Sequence, residues 1–161
     1  MSREKTCCFT GHRHLYSSYK AEDLKNAIET MVNKGVTIFI AGGALGFDTE
    51  AAIEVLRLKK KNKDIELHIY APCNDQSKLW TLGQKMLYKK ILKHADYVDM
   101  PSHSYNNQCM KIRNYKMVDN SAYLIAYYDG SVRSGTGQTF RYAQKCGLGI
   151  INICKEEAEE Y

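Results

Sequence analysis

Proline is scarce in this chain: 161 residues contain two, alongside a single tryptophan. With 44% hydrophobic and 25% charged residues, this is the composition of an ordinary folded protein rather than a disordered one. No linker, repeat or low-complexity segment suggests a second unit, so one domain over 1–161 is expected. A chain of this length can bury roughly two-thirds of its unfolded surface without staples. No window holds the ~18 apolar residues that a membrane helix needs. The start, MSREKTCCF, also lacks the apolar run of a signal peptide. These absences predict a cytoplasmic protein with no membrane partner. The six cysteines fall at no C-x-x-C spacing and lie mostly in apolar surroundings, which predicts reduced, buried thiols. His12 and His14 with Cys7 and Cys8 make no compact four-ligand set, because alternate strand residues face opposite ways; no metal is expected.

What is present is an alternation of apolar runs and helical patterns. A strand over Thr6 to Thr10 precedes a helix with Leu24, Ile28, Met31 and Val32 on one stripe, closed by Gly35. Val36 to Ile40 reads as a strand covered on both faces. It leads into Gly42-Gly43-Ala44-Leu45-Gly46-Phe47-Asp48, where Asp48 is expected to cap the next helix. Ile65, Leu67, Ile69 and Ala71 alternate with Glu66, His68 and Tyr70, predicting a strand with one less protected face, ended by Pro72. A helix from Leu79 to His94, a short strand at Tyr97–Asp99 and a polar loop from Pro101 to Asn107 follow. Then come a helix carrying Arg113, a strand over Ala122–Ala126, a turn with Ser134-Gly135-Thr136-Gly137, a last helix closed by Gly147, and a strand over Ile150–Ile153. This spacing predicts an α/β fold: a single three-layer Rossmann-like domain, with a mostly parallel sheet and helices on both faces.

Ligands in such folds sit at the carboxyl ends of the strands, where three loops converge. Thr10, Gly11, His12 and Arg13 offer donors for a phosphate or carboxylate. Gly42 and Gly43 remove side chains where a ligand would pass, and Asp48 either caps its helix or accepts from a ribose hydroxyl. This loop is not the G-x-G-x-x-G dinucleotide fingerprint. Arg113 borders a helical stripe of Met110, Asn114, Met117 and Ser121, suited to bidentate phosphate binding or to an ion pair. Ser134, Gly135 and Thr136 offer amides and hydroxyls to the same phosphate, with Thr136 as the helix cap. Pro72 to Gln76 and Trp80 are candidates for contact with a base. The charge of +5 suits an acidic ligand, although the run Arg57 to Lys63 reads as a solvated helix end.

Taken together, TGHR, GGALGFD, and RNYKMVDNSAYLIAYYDG followed by SGTGQT resemble the SLOG superfamily, and within it the YpsA-like family. Lonely-guy phosphoribohydrolases and DNA-processing protein A are more distant members. The resemblance covers nearly the whole chain. It implies a bacterial or phage protein whose Rossmann-like domain binds a nucleotide or nucleotide-derived ligand, ADP-ribose or NAD-like, as a sensor or regulatory module. No other cofactor is implied. The superfamily's phosphoribohydrolases use a helix arginine, matched by Arg113, and a glutamate three residues after a Gly-Thr pair. Gly135-Thr136 is the matching pair, so that glutamate position is Thr139, which cannot serve as a carboxylate. Arg133-Ser134-Gly135 likewise replaces the glycine pair before that loop. Asp48, Glu50, Asp119 or Asp129 would have to supply the carboxylate, and Asp48 and Glu50 point about 200° apart on a helix. Hydrolysis of a nucleotide N-glycosidic bond is thus the first alternative. Single-stranded nucleic-acid binding is the second, because GGALGFD also resembles the DNA-processing protein A loop; it ranks below the others because no basic stripe interleaved with aromatics is evident. An apolar set at Tyr123, Tyr127 and Tyr128 permits a homodimer.

Overall fold

In a computed structural model, which describes residues 2–159, strands and helices alternate from end to end. The order is β1 (Thr6–Gly11), α1 (Ala21–Asn33), β2 (Ile38–Ala41), α2 (Phe47–Lys61), β3 (Glu66–Tyr70) and α3 (Leu82–His94). β4 (Tyr97–Asp99), α4 (Cys109–Asp119), β5 (Tyr123–Tyr127), α5 (Gly135–Lys145) and β6 (Gly149–Asn152) complete it. All strand pairs are parallel, in the order β4-β3-β2-β1-β5-β6. The chain builds outward from β1 to β4, then crosses back to lay β5 on the other side of β1. Strand order therefore reverses between β1 and β5.

Two cores sandwich the sheet. Leu24, Ile28 and Met31 of α1, Phe47 and Val55 of α2, and Ile91 of α3 close over Cys7, Phe9, Phe39, Leu67 and Ile125. On the opposite face Met117 and Val118 of α4 and Ala143 of α5 cover Cys8, Ile40 and Leu124. The adjacent thiols Cys7 and Cys8 thus serve different cores, and all six cysteines are free. Burial on both faces explains the continuous β-branched and aromatic runs of the central strands.

Several local expectations need correction. β3 has no open face: only Glu66 is exposed, because Tyr97 packs on both His68 and Tyr70. α3 starts at Leu82 rather than Leu79, since Thr81 and Gln84 form a reciprocal capping box. Tyr127 belongs to no exposed set. It is 1% exposed, stacks on Phe47 at 5.7 Å and accepts a hydrogen bond from the Tyr16 amide at 3.1 Å. The basic run does close α2 outward, where Arg57 pairs with Glu54 and Lys59 with Asp96.

Candidate functional site

A cleft of about 440 Å³ opens at the carboxyl ends of the strands, across the point where their order reverses. Thr10, Gly11, His12 and Arg13 line it from the end of β1, and Asp48 from the first turn of α2. Arg113 enters from α4, and Ser134, Gly135 and Thr136 from the start of α5. Gly42 and Gly43 lie behind this wall. A Cβ on Gly42 would sit 2.5 Å from Arg113 Nη1 and 2.8 Å from Asp48 Oδ2, and one on Gly43 would sit 2.9 Å from the Tyr88 ring. These two glycines thus let a guanidinium, a carboxylate and a tyrosine approach the backbone.

Arg113 is 5% exposed, deeper than the helical stripe alone suggests. Its Nη1 donates to Gly42 O at 2.6 Å and Tyr70 O at 3.1 Å, and its Nε to Asn114 Oδ1 at 2.7 Å. Nη2 meets, among the described residues, only the Met110 sulfur at 3.9 Å, which leaves that nitrogen with a proton to donate. Among the described residues Arg113 makes no ion pair within 4.0 Å. Burial lowers its pKa, and Asp48 opposes that shift from across Gly42.

Asp48 does not cap α2. Gly46 holds that position at φ 84°, and Asp48 follows in the first turn. Its carboxylate accepts instead from the Ala44 amide at 3.4 Å. Burial pushes this carboxyl up, against the pull of Arg113 and the amides of Ala44 and Gly42. Glu50 lines a neighbouring depression with Arg13 and His14, so the two acids do not work as a pair.

The β1 loop is tied at several points. His12 N donates to Tyr127 O, and Phe47 N donates to His12 O. His12 Nε2 lies 2.9 Å from the Asp129 carboxylate and 3.1 Å from its amide. Asp129 also accepts from Tyr16 Oη and Ser131 Oγ, each at 2.6 Å. Burial raises this carboxyl, but the Ser131, Tyr16 and His12 contacts prevail and hold it at about 2. Gly46 packs against the same loop: a Cβ there would lie 2.5 Å from the Arg13 carbonyl carbon. Gly11 backs onto Phe47, whose Cβ would be 2.6 Å from any side chain at that position.

At the end of the cleft built by the start of α5, Ser134 rather than Thr136 caps the helix, its hydroxyl accepting from Gly137 N at 2.9 Å. The amides of Gly135 and Thr136 in that first turn have no intrahelical acceptor. Thr139 is buried and donates its hydroxyl to Gly135 O, so it does not line the cleft. Asp119 is likewise engaged elsewhere, accepting from Tyr142.

The opposite end is formed by Pro72, Cys73, Gln76 and Trp80 after β3 and by Tyr105 after β4. Asn74 bonds to His103 O and Ser102 O, and Asp75 accepts from Tyr105 N, stitching the two loops together. Burial pushes the Cys73 thiol up to about 11. Tyr105 was not legible in the sequence: it stands in a polar loop and reaches the cleft only because Asp75 holds its backbone. Tyr16 likewise shows its part only once Asp129 and Tyr127 are in place.

This combination of a parallel sheet with reversed strand order and a loop-built cleft defines a Rossmann-like α/β domain. The family model of the YspA SLOG family matches residues 6–147, and the chain belongs to that family. The SPbeta prophage-derived protein YoqJ of Bacillus subtilis is 39% identical over 124 residues, 69% of this chain and 71% of its own length. A UPF0398 protein of Halalkalibacterium halodurans is 28% identical over 120 residues, 73% of this chain and 64% of its own. In fold, the chain is similar to DNA processing protein A of Helicobacter pylori, known for a single-stranded DNA binding mode. That match has a TM-score of 0.67 at 17% identity, covering 92% of this chain and 64% of the other. The Streptococcus pneumoniae protein matches at 0.66 and 17% identity, covering 91% of this chain and 49% of the other. The chain thus spans about half to two-thirds of these DNA-processing proteins.

Proposed function

We propose that this protein binds a nucleotide or nucleotide-derived ligand, of the ADP-ribose or NAD type, as a sensor or regulatory module. The observation that carries the reading is the convergence in one cleft of a buried guanidinium, a helix start with free amides and a buried carboxylate. Ser134, Gly135 and Thr136 hold phosphate together with Arg113 Nη2, and Thr10, His12 and Arg13 add donors along the wall. Asp48 accepts from a sugar hydroxyl.

The test is thermal unfolding with AMP, ATP, NAD, ADP-ribose and a short DNA oligonucleotide, with product analysis of each sample. A ligand at ~100 times its dissociation constant adds about 2.7 kcal/mol, a shift of roughly 5–10 °C. A shift with intact nucleotide supports the reading, and none with any nucleotide overturns it. Release of free base would instead favour a hydrolase, with Asp48 the carboxylate available in the cleft. Single-stranded DNA binding is the second alternative, favoured by the likeness in fold to the Helicobacter pylori protein. It predicts affinity for the oligonucleotide that falls steeply with salt.

A further inference from the structure

Among the described residues three buried side-chain polar atoms have no hydrogen-bond partner: Tyr19 Oη, His68 Nδ1 and Gln76 Oε1. The first two lie in the packed body, whereas Gln76 lines the cleft. The orientation of its amide follows from its neighbours. Nε2 lies 3.4 Å from Gly42 O and 3.2 Å from Tyr88 Oη. A carbonyl can only accept, so a flipped amide would set two acceptors against each other. The oxygen is therefore the end without a partner; it is closed to solvent in this arrangement, so a ligand's donor reaches it by a turn of the Gln76 side chain, which lines the cleft.

The surroundings say which donor. Trp80 lines the same end and is held edge-on to Tyr88 at 5.2 Å, with Tyr105 across the paired loops. From β5, which leads to the anion-suited turn, to β3, which leads to Gln76 and Trp80, is three strand spacings, or ~14 Å. That separation accommodates phosphate, sugar and base laid end to end, with the base at the aromatic end.

Resting on the nucleotide reading, we propose that Trp80 and Gln76 form a base-recognition subsite. Trp80 supplies the stacking surface, and Gln76 Oε1 accepts from an exocyclic amino group. The cleft thereby selects adenine-type bases over their oxo counterparts.

Two ligand pairs that differ only in that group test the proposal: AMP against IMP, and NAD against its hypoxanthine analogue. Trp80 is the sole tryptophan, so its fluorescence reports on the surroundings of this one side chain. Calorimetry measures affinity in parallel. The amino member of at least one pair should quench Trp80 and bind at least tenfold more tightly than its oxo partner. Gln76→Met should reduce that ratio to near one, chiefly by weakening the amino member of the pair. Trp80→Leu, followed by calorimetry, should weaken both members of the pair by tenfold or more. Equal affinities within both pairs, or discrimination that survives Gln76→Met, would overturn the amino-group reading and leave nucleotide binding standing. Binding without any change in Trp80 fluorescence would overturn the base subsite itself. If neither pair binds and the wider nucleotide panel also fails, the underlying nucleotide reading falls with it.

Discussion

Asp48 and Asp129 respond to pH in opposite directions. The native state holds the Asp48 proton more tightly than the unfolded chain does, because burial raises its pKa. That contribution is fully present below the ordinary carboxylate range and is lost as pH rises through the raised value. Urea unfolding across a pH series should therefore show wild type losing ground against Asp48→Asn with rising pH. Asp129 is the reverse: its stabilisation is present above about 3.9 and fades as pH falls through about 2. Asp129→Asn should flatten that acid limb of the stability profile. Arg113 carries structure as well as charge, since its removal strips partners from Gly42 O and Tyr70 O and isolates Asp48. Arg113→Ala should cost about 3 kcal/mol in denaturant unfolding, and ~1.5–3 kcal/mol in affinity for an anionic ligand. Unchanged ligand affinity in the folded variant would remove Arg113 from the site.

Helix starts mark the limit of what could be read from the sequence. The strands and helices were legible because hydrophobic period and glycine stops fix element type. Their first residues were not, because several neighbouring side chains can cap and only tertiary contacts choose among them. Asp48 has the right chemistry to cap α2, yet its carboxylate turns toward Gly42 and Arg113, and Gly46 takes the cap position. Thr136 gives way to Ser134 for a similar reason: the Ser134 hydroxyl is already held near Ser131 and meets Gly137 N. Ser134→Ala should destabilise the protein by about 1 kcal/mol, while Thr136→Ala leaves the cap intact. Two glycines give a sharper contrast in the same assay. Gly35→Ala meets no atom within 4 Å, and its φ of +96° alone should cost about 1–2 kcal/mol. Gly46→Ala adds a collision with the Arg13 backbone and should cost more, disturbing the β1 loop as well.

Across the whole molecule, the sequence implied a parallel sheet but not the order of its strands. Alternating elements are compatible with several windings, and the crossing from β4 back to β5 is fixed by the faces that α4 and α5 bury. The three glycine-bearing loops were legible as a group because each follows a strand. The wall formed by Gln76, Trp80 and Tyr105 needs the β3–β4 pairing to assemble. Stability should follow the same layout. Amides of the central strands, such as Phe9, Ile40 and Leu124, should exchange with solvent slowest, and those of the short edge strand β4 much sooner. Gly11 and Phe47 connect two loops of the cleft through a single occupied space: the ring fills the volume that any side chain at position 11 would need. In evolutionary terms the two positions share one inheritance. A side chain at 11 would meet the Cβ of residue 47 as well as its ring, so trimming 47 even to alanine leaves the collision, and a lineage that departs from glycine at 11 must also shift the backbone of one of the two loops.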